Sequence, residues 1–283
     1  PAGNEHVADL PWRLTSWALD DPGNVALWED AQGQLLGWAV MQLPFWTIDY
    51  ALHPGAGPDL HPALLAWADA RARALLRTEH ARPAWFVHLF AHHAERRRDL
   101  EQAGFAGQAD VGDDSWSKVL MRRSASDTVP DCPVPPGYTI RPLAGRDEVD
   151  AYVALHRTVF GSPSMTSGWR TRTLSRPEYV PDLDLVAVAP DGSLAAFCVA
   201  WLDTRSDREV SGQIEPLGVH DAHRHRGLGR AILYEALRRL HRHGAQQVYV
   251  ETDNYRDGAL AAYTSAGFSL LHDVCVYRKD YGA

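Results

Sequence analysis

Residues Arg224-His225-Arg226-Gly227-Leu228-Gly229-Arg230 place two glycines two apart among three arginines, just ahead of a long helical pattern (Ala231 to His243). Glycine takes backbone conformations that other residues resist, so successive N–H groups can turn toward one point. A helix N-terminus adds free donors and the positive end of its dipole. The chemistry this favours is anion binding, with a phosphate or pyrophosphate as guest. A Gly-x-Gly pair is equally the mark of a tight turn before a helix, so the rest of the chain has to decide.

Other candidates for chemistry are weaker. Asp221-x-His223-x-His225 has metal-ligand residue types, but Arg224 and Arg226 alternate with them and repel a cation, so no metal is expected. His92-His93 lacks partners at ligand spacing, and Glu95-Arg96-Arg97-Arg98-Asp99 reads as a solvated helix face.

The bulk numbers set limits. The 283 residues, 45% hydrophobic and 23% charged, suffice for two domains. With 36 acidic against 28 basic residues the net charge is -8, which argues against nucleic-acid binding and makes the basic cluster at 224–230 stand out. Cys132, Cys198 and Cys275 lie far apart, so neither a disulfide framework nor a zinc site is expected, and a reducing cytoplasm fits. Pro1 to Glu5 has no basic start or apolar core of a signal peptide, and no apolar run reaches the length of a membrane span.

The elements that must position the cluster follow from turn chemistry and periodicity. Strands are expected at Val25 to Trp28, Leu35 to Met41, Trp46 to Leu52, Trp85 to Phe90 and Trp116 to Met121. Helices are expected at Ala63 to Arg77 and Ala94 to Ala103, the second stopped by Gly104, with a weaker helical pattern over residues 1–20. Residues 124–136 hold four prolines and no period, and read as an extended linker. The order then restarts. It runs through a strand at Tyr138 to Pro142 and helices at Asp147 to Phe160 and Trp169 to Leu174. Strands follow at Leu183 to Ala189, Leu194 to Leu202 and Ile214 to Val219. The basic cluster, its helix, a strand at Gln247 to Glu251, a helix at 257–266 and a strand at Val274 to Arg278 complete the chain.

The halves are a repeat. Val87 to Phe105 and Val250 to Phe268 have equal length, both end Ala-Gly-Phe, and are offset by 163 positions. Leu52 and Val219 both end a strand, yet Gly55 to His61, with Gly57 and Pro58, has no arginine and no Arg-x-x-Gly-x-Gly. The offset puts Leu100 where Tyr263 stands and Ala91 where Asn254 stands. The chemistry is therefore assigned to 137–283, with 1–123 a degenerate copy lacking catalysis and 124–136 the linker.

The series Val219-x-x-x-x-Arg224-x-x-Gly227-x-Gly229, then a helix and strand, then Asn254 and Ala262-Tyr263-x-x-Ala266-Gly267-Phe268, resembles the GNAT acyltransferase superfamily. The resemblance covers 137–283 directly and 24–122 through the repeat. The layout is similar to that of tandem GNAT proteins, of which mycothiol synthase is one kind. It implies an α+β fold of two tandem domains, each a mixed, mostly antiparallel sheet flanked by helices. It also implies acetyl-CoA as co-substrate and transfer to a primary amine of a small-molecule acceptor by a monomer or homodimer, without metal, nucleic acid or membrane. A non-enzymatic alternative is acyl-CoA sensing, with the first half as an interaction module.

By the same resemblance, the amides of Arg224, His225, Arg226, Gly227, Leu228, Gly229 and Arg230 would hold the CoA pyrophosphate. Leu217, Gly218 and Val219 would lie along the pantetheine arm on a splayed strand. Pro216 supports this, since it cannot donate a ladder hydrogen bond and belongs at a bulge or edge. The amide of Val219 or a neighbour would polarise the thioester carbonyl. Tyr263 matches a family tyrosine that protonates the leaving thiolate, a reading favoured over that of a packed aromatic above Phe268. Glu215, with the strand parity of Leu217 and Val219, is the candidate base; Glu251 and His220 are rivals. Asn254 would bond the pantetheine or a loop carbonyl, at a spacing about two residues longer than is common in the family. Trp169 and Arg170 fall where such proteins build the acceptor pocket, and Arg172 could attract an anionic group there. A surface helix with a buried Trp is the plainer reading.

Overall fold

Asp30 accepts from the amide of Gly33 at 3.0 Å and, through its side chain, from Gln32, which closes the first turn and pairs the apolar runs on either side. In the computed structural model, which describes residues 10–109, 117–204 and 209–282, these runs are β1 (Val25–Glu29) and β2 (Leu35–Gln42). A short helix, α1 (Leu10–Arg13), precedes them. After them come β3 (Thr47–Leu52), α2 (Leu60–Leu75), β4 (Ala84–Phe90), α3 (Ala94–Gln102), β5 (Ala106–Gly107) and β6 (Lys118–Ser124). The second half holds β7 (Thr139–Pro142), α4 (Val149–Phe160), α5 (Ser167–Leu174), β8 (Asp184–Val188), β9 (Leu194–Asp203) and β10 (Ser211–Val219). It ends with α6 (Leu228–Arg242), β11 (Gln247–Asp253), α7 (Asp257–Ser265) and β12 (Ser269–Asp280). The expectations for Pro1 to Glu5 and for a strand beginning at Trp116 fall outside the described residues.

The twelve strands of the described residues form one sheet, in the order β1-β2-β3-β4-β12-β6-β11-β10-β9-β8-β7, with β5 on β12. The pairings are antiparallel except β3 with β4 and β10 with β11. The order contains an exchange. The last strand of the first half, β6, pairs with β11 of the second, while β12 of the second pairs with β4 of the first. Period-2 patterning identifies strands but not their partners, so the exchange has no signature in the sequence. The patterning also stops short on β12, which extends over Ser269–Asp280 because the segment before Val274 pairs with β6 through a bulge at Leu270/His272.

The helices cover the sheet as the apolar spacing requires. Leu228, Ile232, Leu233, Leu237 and Leu240 lie on one buried stripe of α6, each contributing roughly 1.5–3 kcal/mol of burial. Beneath them β9 turns Ala196, Cys198 and Ala200 to this side and Phe197, Val199 and Trp201 to the other, against α4 and α5. Trp12 of α1 joins that second cluster, stacked on Trp169 at 4.8 Å. A Cβ at Gly218 would meet Phe197 and Val159 at 2.6 Å, so glycine is what lets α4 lie this close to β10.

The repeated Ala-Gly-Phe has a local cause. Phe105 N–H donates to Leu100 O at 2.9 Å and Phe268 N–H to Tyr263 O at 3.0 Å, with Gly104 and Gly267 both at φ +85°. Both copies are helix C-caps that need a left-handed residue. The linker between the halves is docked. Ala125 N–H donates to Gln246 O, Pro130 O accepts from Arg238, and Val129 and Cys132 pack on the cluster beneath α6.

Candidate active site

The apolar run of β10 pairs with β11 at Ser211, Gly212 and Gln213 and then diverges from it. Its other edge stays on β9 as far as Val219, interrupted by a bulge between Ile214 and Leu217. The bulge falls on Glu215-Pro216, where proline has no N–H for a ladder. Beyond it β10 has an open edge facing the splay. His220 N–H donates to Ala195 O of β9, so by alternation the N–H of Val219 points the other way, into the opening.

The bulge also breaks parity. Ile214 and Leu217, three apart, both pack on the cluster under α6, so the even alternation that grouped Glu215 with Leu217 and Val219 does not hold across it. Glu215 is half-buried, and its carbonyl accepts from the Trp201 indole at 2.7 Å. Burial raises its carboxyl from 4.5 to about 7, against the opposing pull of Lys118 and Arg13. A carboxyl at that value gains and loses its proton near neutral pH. The rival Glu251 is held by Lys118 Nζ at 3.2 Å, and His220 Nδ1 accepts from the amide of Ala222 at 3.2 Å.

At the end of β10 the chain makes one 3-10 turn (Asp221–His223), pinned by the Tyr138 hydroxyl on His223 Nδ1 at 2.8 Å. His225 and Gly227 then both take left-handed φ, 60° and 81°, on either side of Arg226. Left-handed residues in alternation turn backbone N–H groups to one side, making an anion-binding concavity. Gly227 is also the N-cap of α6 and offers no side-chain cap. Among the described residues no amide from 225 to 230 has a hydrogen-bond partner; the first taken is Ala231, which donates to Gly227 O. Arg224 is tied to Asp221 Oδ1 at 2.8 Å and to Val219 O at 3.3 Å.

The first half lacks this arrangement at the matching place. α2 begins after Pro58 and carries Pro62 in its first turn, which removes amides, and its N-cap is Asp59, which brings negative charge. β3 and β4 pair only at Thr47 and Phe86 before diverging, so the splay is kept and the cradle lost.

Tyr263 lies on α7, 8% exposed, with its ring edge-on to Phe268 at 5.7 Å. Its hydroxyl has no hydrogen-bond partner among the described residues. Burial pushes the phenol upward, and the carboxylate form of Glu215 adds to this, so it stays protonated. Asn254 is engaged elsewhere. Its side chain donates to Ser117 Oγ at 2.5 Å and its amide to Ser117 O at 2.9 Å, locking the end of β11 to the start of the exchanged β6.

Trp169 and Arg170 belong to the interior instead of to an open pocket, because the helix that carries them turns them under α4. Trp169 is 1% exposed and donates to Trp12 O at 2.8 Å. Arg170 forms a buried ion pair with Asp184 and lies 3.8 Å above the Tyr152 ring. Arg172 donates to Thr15 O at 2.9 Å and faces Asp20 at 3.3 Å, which leaves little attraction for an anionic ligand. The side chains around Glu215 and Glu251 come largely from elsewhere, the cations Arg13 and Lys118 and the neutral His88, all from the first half. No spacing in the sequence marks them, since the exchange brings two of them in.

Among the described residues no group of three or more His, Cys, Asp or Glu is arranged to hold a metal, and no helix is long and apolar enough to cross a membrane.

Comparison with known proteins supplies the family. The model of the acetyltransferase (GNAT) family matches residues 151–268, which span the splay, the cradle and Tyr263. These residues are a GNAT domain. Around it, a mycothiol acetyltransferase of Kineococcus radiotolerans is 35% identical over 166 residues, covering 54% of this chain and 52% of the relative. Another, of Stackebrandtia nassauensis, is 28% identical over 275 residues, covering 92% and 83%. In the first of these matches the chain spans about half the relative's length. Among solved structures, a GCN5-related N-acetyltransferase from Sphaerobacter thermophilus superposes with a TM-score of 0.68 at 22% identity, over 92% of this chain and 82% of that one. A tandem GNAT protein from the clavulanic acid biosynthesis pathway superposes with a TM-score of 0.60 at 15% identity, over 100% and 98%. The likeness to the tandem protein extends the GNAT fold to both halves.

Proposed function

We propose that the second half transfers an acetyl group from acetyl-CoA to a primary amine of a small molecule. The observation that carries this reading is the run of unpartnered amides at 225–230 beside the open edge of β10, with the first half keeping the splay but not the cradle. The amides and Arg226 would take the pyrophosphate, and the open backbone at Leu217, Gly218 and Val219 the pantetheine arm. The thioester carbonyl would lie at the Val219 N–H, which stabilises the oxyanion as the amine adds. Glu215 removes the proton from the attacking nitrogen. As the tetrahedral intermediate collapses the C–S bond breaks, and Tyr263 protonates the thiolate.

Calorimetric titration with acetyl-CoA, followed by an amine panel monitored through release of free thiol, tests this. The name shared by the curated relatives makes a mycothiol-type acceptor one arm of the panel. The expected result is tight acetyl-CoA binding and turnover on at least one amine that is lost in Glu215→Gln. Absence of acetyl-CoA binding would refute the proposal, and binding without turnover on any amine would favour a sensor.

A further inference from the structure

The exchange of β6 and β12 has a chemical consequence. Strand β6 brings Lys118 opposite Asp253 on β11, with Leu120 opposite Glu251, so Lys118 stands on the second half's sheet although it belongs to the first half's chain. Its Nζ lies 3.2 Å from Glu251 Oε1 and 3.5 Å from Asp253 Oδ1, and only a quarter of its side chain is exposed. No other lysine or arginine is as close to Glu251 among the described residues; His88 Nδ1 lies 3.9 Å from the same oxygen. We propose that Lys118 is a positioning residue for Glu215: it holds the flanking carboxylates of Glu251 and Asp253 and supplies the cation that keeps Glu215 available as a carboxylate. The inference rests on Glu215 as the base of the proposed transfer.

The groups around Glu215 divide by sign. Lys118 of β6, Arg13 of α1 and Arg256 ahead of α7 favour its charged form, and Glu251 of β11 opposes it. All three cations are also paired with other carboxylates: Lys118 with Glu251 and Asp253, Arg13 in a two-pronged pair with Asp49 of β3 at 3.0 and 2.9 Å, and Arg256 with Asp253 at 2.7 Å. Tyr263 of α7 and Tyr152 of α4 sense Glu215 but stay neutral, because burial raises both phenols. His88 of β4 is also neutral, since burial and then Lys118 and Arg13 hold it well below the usual imidazole range. Lys118 itself loses by burial but gains more from Glu251, Asp253 and Glu215, so it remains an ammonium across neutral pH. Of the charges acting on Glu215, that of Lys118 is the largest.

Carboxyl-labelled glutamate in the full chain allows Glu215 to be titrated by carbon NMR, with its resonance identified by its loss in Glu215→Gln. The wild type should titrate near pH 7. Lys118→Met should move the midpoint up by about one unit, the low end of the effect of a neighbouring opposite charge, because Lys118 is shared among carboxylates. Lys118→Arg should restore it. Glu251→Gln should move it the opposite way, since it removes a like charge and frees Lys118. His88 should titrate higher in Lys118→Met. Acetyl-CoA affinity, measured in parallel, should stay within about twofold.

A midpoint unmoved in both Lys118→Met and Glu251→Gln, with acetyl-CoA binding intact and Glu215→Gln inactive on the amine identified above, overturns the inference and leaves the base assignment standing. Full turnover in Glu215→Gln removes the base and the inference with it. Opposite shifts in the two variants establish the coupling even if one of them folds poorly.

Discussion

Gly227 offers a test in which strain and charge separate. It sits at φ +81° as the N-cap of α6, and nothing lies within 4 Å of where a Cβ would be. Any side chain there meets a backbone cost and no clash. Asn and Asp bear left-handed φ best and are nearly isosteric, so Gly227→Asn and Gly227→Asp share a strain of about 1 kcal/mol that cancels between them. Their difference is one negative charge at the rim of the cradle. At a separation of about 6 Å and an effective dielectric near 20, one charge on the carboxylate and one on the pyrophosphate repel by about 3 kcal/mol. Counterions at an exposed site reduce that to about 1.5–2 kcal/mol, or roughly 10- to 30-fold in Kd. Isothermal titration of both variants with acetyl-CoA, at low and high salt, reads the gap directly. The Asp variant should bind more weakly, and the gap should narrow as salt rises. Without ligand the order reverses, because a carboxylate at a helix N-terminus is favourable, so the Asp variant should melt no lower than the Asn variant. Equal affinities for the two variants at low salt would refute the cradle as the pyrophosphate site.

Three further expectations follow from the geometry. Tyr263→Phe loses no hydrogen bond among the described residues, so melting temperature and acetyl-CoA affinity should hold while turnover falls about 100-fold or more; normal turnover would make Tyr263 a packing residue. Arg170→Met leaves the carboxylate of Asp184 buried without its cation and should cost about 3–5 kcal/mol by chemical denaturation, while the acceptor KM of the folded protein stays unchanged; a raised KM at full stability would return Arg170 to the acceptor pocket. Glu215 titrates higher in the folded chain than in the unfolded one, so its ionisation opposes folding: the cost is absent below about pH 4.5 and grows as pH rises through about 7. Glu215→Gln should therefore raise the melting temperature at pH 8 and give a gain that shrinks toward pH 4; a gain independent of pH would contradict the raised carboxyl.

Particular residues show how far the sequence reaches. The cradle was legible because its cause is local: left-handed φ at Gly227, arginines beside it and a helix start all lie within a few positions. Pro216 announced the bulge for the same reason, since a missing N–H acts wherever the residue sits. The Ala-Gly-Phe repeat was legible as well, and its two copies close the same hydrogen bonds. Trp169 and Arg170 were misleading, because their place in the chain is that of a pocket wall while their burial depends on α1 and Asp184, which lie far off in sequence.

What the sequence determined by itself rests on short-range sterics and hydrogen bonding: most of the elements, the Gly104 cap, the irregularity at Pro216 and the glycine turn ahead of α6. The tertiary structure alone decided which strands pair across the two halves. Strand pairing is a long-range choice that alternation cannot specify, and it is this choice that carries Lys118 and His88 to within 4 Å of Glu251 on β11.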